Sequence, residues 1–356
     1  MKYVSFYKLT PLIFTIFAIF SFFYGFHVDE ISMGAGGFGG DFKFVKKSIT
    51  LFSENSIKDS IILFSESSNR PPLIYILHKL FNPLFTDELG FIKVVFGISL
   101  SAPIVFYFCL KERFRKLDKN LLLLLSSIIL FNPFFRTSSY WGLEENYAII
   151  STLVSLLFLL KLSNDKIKSH KIFLNIFFVT LFSSLSIYFD QKFLIIPIIC
   201  FLKIISENYL IKYKLFTLSL YFIFSIPYLF LIKLWGGVFP SNIYQIGSQF
   251  YFHHFGYALT MISFIFFPFI FLKSKNLKDQ FYVFVKDQKI IFLLILIFAY
   301  LIVLLFFYND NFFNNKLDGG GIVKKISLIF FPNLFLKKNI YFHFNCNFVV
   351  TYFFIY

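Results

Sequence analysis

The stretch PLIFTIFAIFSFFYGFHVDE, residues 11–30, places two adjacent carboxylates, Asp29 and Glu30, directly after an apolar run. Similar apolar runs recur between short charged links along the 356 residues, of which 58% are hydrophobic, and the mean hydropathy is +0.73. An α-helix needs about 20 apolar residues to cross the hydrocarbon core of a bilayer. The sequence therefore predicts an all-α, polytopic integral membrane protein.

The apolar runs predict about 9–10 transmembrane helices and a first outer loop, residues 27–88, that contains interfacial amphipathic helices. Within that loop, RPPLIYILHKLFNPLF, residues 70–85, repeats its apolar residues at three- and four-residue steps. This pattern is typical of a helix that lies in the membrane interface. The predicted spans are residues 9–26, 89–110, 120–135, 146–162, 172–189, 192–205, 215–234, 256–272, 289–308 and 326–356.

The distribution of Lys and Arg predicts the orientation. If residues 70–85 do not span the membrane, the N-terminus and the most basic links share one side, and they hold more than half of the 34 Lys and Arg residues. Because basic links tend to stay in the cytoplasm, we expect a cytoplasmic N-terminus. The same rule accounts for the net charge of +15, so we expect no nucleic-acid partner.

This topology collects the candidate functional residues on the outer face. Asp29 and Glu30 lie within a turn of the lipid boundary, where desolvation raises the pKa of a carboxylate and makes it a better base. The alternative is an acidic pair that is simply solvated in an outer loop. The other residues of the face favour a functional reading.

A second candidate stretch is FRTSSYWGLEEN, residues 135–146. A guanidinium near the membrane plane suits an anionic lipid phosphate, while Trp and paired carboxylates suit the apolar face and the hydroxyls of a sugar. A snorkelling Arg beside an interfacial Trp is the structural alternative. The candidate binding residues here are Arg136, Trp141, Glu144, Glu145 and Asn146.

Two further outer links carry candidates for substrate binding. YFDQKFLIIP, residues 188–197, supplies Gln191 and Lys192, and the alternative for Lys192 is an ion pair with Asp190 that holds the turn. His253, in the long loop after the seventh predicted span, is a candidate contact for a phosphate or hydroxyl. Its neighbour His254 would point about 100° away on a helix, so the pair is only a weak indication of a metal site.

The order of these motifs resembles the GT-C superfamily of membrane glycosyltransferases, which use polyprenyl-phosphate sugars. The resemblance is carried by HVDE after the first span, by NRPPLIYIL, by FRTSSYWGLEENY and by DQKFLIIP. LWGGVFPSN followed by FHHFGYALT is similar to a segment of bacterial relatives of the dolichol-linked-oligosaccharide glucosyltransferases. The chain also resembles the glycosyltransferase 39/83-like family. One departure is Asp190, since such relatives tend to carry an Arg ahead of the Gln.

The resemblance implies a GT-C-like transmembrane domain over residues 1–325, followed by an apolar segment, 326–356, that ends without a closing charge and indicates a truncated or frameshifted end. It implies transfer of a sugar from a polyprenyl-phosphate donor to a hydroxyl of a lipid-linked glycan, polysaccharide or protein. Asp29, assisted or replaced by Glu30, would be the base. The leaving phosphate would be stabilised by Arg136, with Arg70 and Lys192 next.

Such a displacement would invert the anomeric centre and requires no cofactor, although Glu144 and Glu145 could hold a divalent cation. The expected partners are the lipid-linked donor, the glycan acceptor and membrane lipids. The codon-type bias towards Phe, Ile, Lys and Asn favours a bacterial plasma membrane, with the site on the periplasmic or extracellular face. A transporter or flippase of lipid-linked sugars and an inactive, truncated relative remain the alternatives.

Overall fold

The computed structural model describes residues 2–30, 37, 40–68, 70–163 and 169–237, all within one compact unit, and this part of the chain is helical without strands. The α-helices are α1 Lys2–His27, α2 Asp41–Glu54, α3 Ile57–Ser67, α4 Leu73–Phe81, α5 Glu88–Ser99, α6 Ser101–Arg113, α7 Lys119–Ser127, α8 Pro133–Tyr140, α9 Glu145–Leu162, α10 Ser169–Phe189, α11 Ile195–Ser206 and α12 Ile211–Trp235. Two short 3₁₀ helices, Ile128–Phe131 and Gln191–Leu194, precede α8 and α11.

Four of the described helical segments are long and apolar enough to cross a membrane, as in an integral membrane protein. They are Glu88–Arg113, which joins α5 and α6, Glu145–Leu162, Lys171–Phe189 and Ile211–Trp235. These agree with four of the predicted spans, and α1 contains a shorter apolar helix, Pro11–His27. The predicted spans at 256–272, 289–308 and 326–356 lie outside the described residues.

The predicted span 120–135 is bent. Lys119–Phe131 and Pro133–Tyr140 meet at 65°, as in a broken span or a re-entrant loop. The break has a local cause, because Asn132 caps α8 by accepting hydrogen bonds from the backbone N–H groups of Phe134 and Phe135. Pro133 then occupies the first turn, where a missing N–H costs nothing.

The predicted span 192–205 corresponds to α11, which has only 12 residues. The 3₁₀ helix before it lengthens the helical path, and the chain after it reaches the far end of α9, where Tyr209 Oη donates to the carbonyl of Leu162 at 3.0 Å. The segment therefore passes from the beginning of α9 to its end, although α11 alone is too short to count as a span.

The loop after α1 folds into α2, α3 and α4, and α4 confirms a helix within residues 70–85. Its Ile74, Tyr75 and His78 are buried, whereas Leu80 and Phe81 are exposed. Tyr75 stacks in the main apolar core, which is built mainly from α1–α5, α8 and α9. The core therefore fixes α4 by one face and leaves an apolar strip uncovered; its position in the membrane interface stays a prediction.

Large apolar side chains are also exposed along α1 and α12, including Phe17, Phe20, Phe222 and Phe230. Exposed apolar surface of this extent is expected where helices face lipid. A second, smaller core of α9–α12 residues, which includes Ile176 and Ile204, holds those helices together. We call the end of the helices where α1 ends and α9 begins the Glu145 end.

Candidate functional site

Charged side chains from distant parts of the sequence meet at the Glu145 end. We call them the charged cluster, and they are Asp41, Arg70, Glu144, Glu145, Asp190 and Lys192. The helix ends bring them together, since α2 begins at Asp41, α9 begins at Glu145 and α10 ends next to Asp190. Four of the six, Arg70, Glu144, Glu145 and Lys192, are residues that the sequence singled out for substrate binding.

Arg70 pairs with both adjacent glutamates. Its Nη1 lies 2.5 Å from Glu144 Oε1 and 3.9 Å from Glu145 Oε1. Although burial lowers the pKa of Arg70, the two carboxylates raise it above its usual value. Burial raises the pKa of Glu144, Glu145 raises it further and Arg70 opposes the rise. Arg70 thus compensates a carboxylate that is only 2% exposed.

The second oxygen of that buried carboxylate, Glu144 Oε2, has no hydrogen-bond partner among the described residues. Leaving a buried acceptor unsatisfied costs free energy, so such an atom is a candidate acceptor for a bound ligand or water. Glu145 is less buried and accepts a hydrogen bond from Ser138 Oγ at 3.2 Å. Both carboxylates stand at the start of α9, where the helix dipole favours negative charge.

Lys192 is the accessible cation of the cluster. Its ammonium lies 3.3 Å from Asp190 and 3.7 Å from Glu145, and 70% of the side chain is exposed. Asp190 is buried and also caps the 3₁₀ helix by accepting from the Lys192 backbone N–H at 3.0 Å. The pair that holds the turn is therefore present, and it leaves the ammonium at the surface beside Arg70's partner Glu145.

Asp41 belongs to the cluster but was not among the residues predicted from the sequence. It is half-buried at the first turn of α2, and burial raises its pKa while Arg70 lowers it. Glu145 and Lys192 are also close enough to act on it. No local signal in the sequence indicates these partners, since an Asp in the first turn of a helix is already accounted for by its favourable interaction with the helix dipole.

Arg136 forms a second ion pair, with Glu30. Its Nε donates to Glu30 Oε1 at 2.9 Å and its Nη2 to Oε2, while the remaining N–H groups reach the carbonyls of Ser21 and Leu130. The Arg136 residue is only 7% exposed. The structure therefore uses the predicted phosphate-binding Arg and one predicted base to fasten the end of α1 to α8.

Trp141 and Asn146 are inside the protein. Trp141 Nε1 donates to the backbone carbonyl of Glu30 at 3.1 Å, and the ring packs against Phe42 with 2% of the residue exposed.

Asn146 is fully buried and its amide donates to Ser99 Oγ, Ser139 Oγ and the carbonyl of Phe135. Both residues, proposed from the sequence to contact a sugar, here hold the surrounding helices.

The remaining predicted site residues differ in their placement. Asp29 is exposed next to Glu30, has a left-handed backbone with φ of 50°, and its carboxylate has no ion pair within the described part of the chain. Gln191 is half-buried, and its Oε1 has no partner among the described residues. His253 lies outside the described residues.

The sequence also suggests two carboxylates of the cluster, Glu144 and Glu145, as ligands for a divalent cation. Within the residues that the structure describes, no group of three or more His, Cys, Asp or Glu is placed to hold a metal ion. The carboxylates of Glu144 and Asp190 are instead paired with cationic side chains, Glu144 with Arg70 and Asp190 with Lys192. The divalent ion considered from the sequence at Glu144 and Glu145 stays a prediction.

An apolar groove of about 350 Å³ lies below the cluster. Its lining includes Leu73 of α4, Tyr188 of α10, and Phe224 and Pro227 of α12. Leu73 follows Arg70 by three residues, and Tyr188 precedes Asp190 by two. The groove therefore starts next to the cluster. Pro227 is eight residues before the end of α12, about 12 Å along the helix, so the groove runs between span-length helices.

Comparisons of the chain with family models, with curated proteins and with solved structures find no match.

Proposed function

We propose that this protein is a membrane glycosyltransferase that moves a sugar from a polyprenyl-phosphate donor to an acceptor hydroxyl at the outer face of the membrane. The single observation that carries the proposal is the convergence of Arg70 and Lys192 on Glu145 beside an apolar groove between span-length helices. A lipid-linked sugar phosphate has the matching parts, an apolar chain, a phosphate and a polar sugar.

The phosphate would bind at Lys192, whose ammonium is exposed, with Arg70 behind it. In the transfer, the acceptor oxygen forms a bond to the anomeric carbon as the bond from that carbon to the phosphate oxygen breaks. Negative charge grows on the leaving polyprenyl phosphate, and fixed cations lower the barrier by stabilising it. Arg136 is a weaker candidate for this role than the sequence implied, because Glu30 occupies its guanidinium.

The lipid chain would lie in the apolar groove below the cluster. A groove lined by Leu73, Phe224 and Pro227 offers apolar contact and no charge, which suits an isoprenoid chain. Its volume of about 350 Å³ is enough for only part of a polyprenyl chain, and the rest would extend into the bilayer. The position of Leu73 near Arg70 would let one molecule occupy both sites.

The proton of the acceptor hydroxyl would pass to a carboxylate. Asp29 remains the predicted base, because it is exposed and unpaired within the described residues, whereas Glu30 is held by Arg136. Asp41 is a second candidate, because burial raises its pKa and it lies within electrostatic reach of Arg70 and Lys192. A base near the cations that bind the leaving group is in the region where the acceptor must attack.

The placement of charge favours a reaction at the membrane surface over a conduit. In α9 no Asp, Glu, Lys or Arg lies between Glu145 and Lys161, and in α12 none lies between Lys214 and Lys233. A transporter of lipid-linked sugars would be expected to carry ionisable groups deep within its spans. The charges of these helices are at their ends.

The test is transfer of labelled sugar from a panel of polyprenyl-phosphate sugars by purified full-length protein in lipid nanodiscs. Wild type, Asp29→Asn and Asp41→Asn are compared with protein-free nanodiscs. We expect wild-type protein to transfer sugar from at least one donor. Of the two variants, the one whose missing carboxylate is the base should transfer sugar roughly 100-fold or more slowly. Absence of turnover with every donor from folded wild-type protein would overturn the proposed function.

A further inference from the structure

A second cavity lies at the other end of the helices from the charged cluster. Its volume is about 570 Å³, and it is formed by the link between α6 and α7 and by the last turn of α9. The lining includes three cations, Arg113, Arg115 and Lys116. Among the described residues that line it, the only carboxylate is Glu112, and it pairs with Arg115 at 3.0 Å. The described lining therefore carries a net positive charge.

Two of these cations have no acidic partner within the described part of the chain. Arg113 and Lys116 are both exposed, and no ion pair between described residues involves either of them. Arg113 ends α6, where it also faces the negative end of the helix dipole. A guanidinium has five N–H donors, and the helix end uses only some of them. The others are available to a ligand in the cavity.

The lining of the cavity also contains apolar side chains. Phe114, Leu117 and Leu160 line it together with the cations. Leu160 is near the end of the span-length helix Glu145–Leu162, and Arg113 ends the span-length segment Glu88–Arg113. Because two such helices end here on the same side, the cavity lies at the boundary between the apolar and polar parts of the structure.

We propose that this cavity binds the phosphate of an anionic phospholipid in the leaflet that faces the α6–α7 link. Arg113 and Lys116 contact the phosphate, and the side chains of Phe114, Leu117 and Leu160 contact the glycerol and the first methylenes of the acyl chains. Cations at a leaflet surface each contribute measurably to binding of anionic lipid. The site is independent of the proposed sugar transfer, which uses the opposite end of the helices.

The experiment is a titration of purified full-length protein in detergent, followed by native mass spectrometry. The probes are dioleoylphosphatidylglycerol, its zwitterionic phosphatidylcholine counterpart and glycerol 3-phosphate. The variant is Arg113→Gln/Lys116→Gln, which leaves the Arg115–Glu112 pair intact. The matched control is Lys43→Gln/Lys47→Gln, which removes two exposed charges from α2.

We expect wild type to bind phosphatidylglycerol more tightly than phosphatidylcholine. The Arg113→Gln/Lys116→Gln variant should bind phosphatidylglycerol roughly ten-fold more weakly, and the control should change less than about two-fold. If both variants lose the same affinity for phosphatidylglycerol, or neither loses any, Arg113 and Lys116 do not form the binding site. If glycerol 3-phosphate binds as tightly as phosphatidylglycerol, the ligand is a soluble phosphoester and the assignment of a lipid is wrong. Circular dichroism checks that both variants fold.

Discussion

Arg70 and Glu144 form an ion pair with an N–O separation of 2.5 Å, although 74 residues separate them in the sequence. Arg70 follows α3 in the loop after α1, and Glu144 directly precedes α9. The pair therefore connects the small helices α2–α4 to a span-length helix. Arg70 also lies 3.9 Å from Glu145, which in turn lies 3.7 Å from Lys192, so the pair is continuous with the rest of the charged cluster.

Removing only the cation of this pair should be more harmful than removing both charges. Arg70→Met leaves Glu144 buried without compensation, which we expect to cost about 3–5 kcal/mol of unfolding free energy at neutral pH. Arg70→Met/Glu144→Gln should recover a large part of that loss. The comparison is made by measuring the free energy of unfolding in detergent. Equal values for the single and double variants would show that the uncompensated charge of Glu144 is not what destabilises Arg70→Met.

Gly25 should be intolerant of a methyl group. A Cβ at this position would meet Arg136 Nη2, Glu30 Oε2 and Tyr140 Oη, the last at 2.6 Å, so Gly25→Ala forces the Arg136–Glu30 pair apart. We expect a loss of about 1–3 kcal/mol in unfolding free energy.

Gly97 supplies the matched control, because it is also in a helix and a Cβ there would meet no described atom within 4 Å apart from its chain neighbours and the backbone of its own helix. Gly97→Ala should be neutral or stabilise by about 0.5–1 kcal/mol, since alanine favours helix. If both alanine variants unfold alike, the close approach of Arg136 to α1 is wrong.

His78 should make the protein less stable in mild acid. It is buried in α4 with Nε2 2.6 Å from Tyr147 Oη, and burial lowers its pKa to about 4. The unfolded chain has a His pKa of about 6.5, so it takes up the proton first as the pH falls. The stabilisation is complete above about pH 6.5 and is lost progressively towards pH 4, by about 3 kcal/mol in total.

The measurement is the free energy of unfolding at several pH values between neutral and mild acid. His78→Gln keeps a polar group but cannot titrate there, so its stability should change less over that range. If the unfolding free energy of His78→Gln falls with pH as steeply as that of wild type, the pH dependence comes from other groups.

Tyr188 should stabilise α12 around Pro227. Pro227 lies inside the helix and has no N–H to donate, and the Tyr188 hydroxyl accepts from the Tyr228 N–H at 2.9 Å and donates to the Phe224 carbonyl. Tyr188→Phe removes both bonds and should cost about 1–3 kcal/mol. Tyr24→Phe, at an exposed position on α1, should cost nearly nothing; comparable losses would argue against the insertion of Tyr188.

The sequence predicted those parts of the fold that local patterns determine. Apolar runs indicated the helices at Glu88–Arg113, Glu145–Leu162 and Ile211–Trp235, because a span needs a continuous apolar segment. Three- and four-residue steps indicated the helix that became α4. The 65° bend at Asn132 was missed, since the apolar pattern continues across it and only the Asn–Pro cap marks the break.

The candidate site was less accessible from sequence, because its partners are chosen by tertiary packing. Residue type identified Arg70, Glu144 and Lys192, but not that Glu30 would occupy Arg136 or that Asn146 would be fully buried. Asp41 was missed because one acid in an amphipathic helix has no local signature. Nothing in the local pattern specifies pairings that join residues about 100 positions apart.

The central claim is that the cations of the charged cluster bind the phosphate of a lipid-linked sugar. It is tested most directly by measuring turnover of the polyprenyl-phosphate donor in nanodiscs for wild type, Lys192→Gln and the control Lys47→Gln. We predict that Lys192→Gln lowers turnover by roughly ten-fold or more while Lys47→Gln matches wild type. Equal turnover of Lys192→Gln and wild type would contradict the claim.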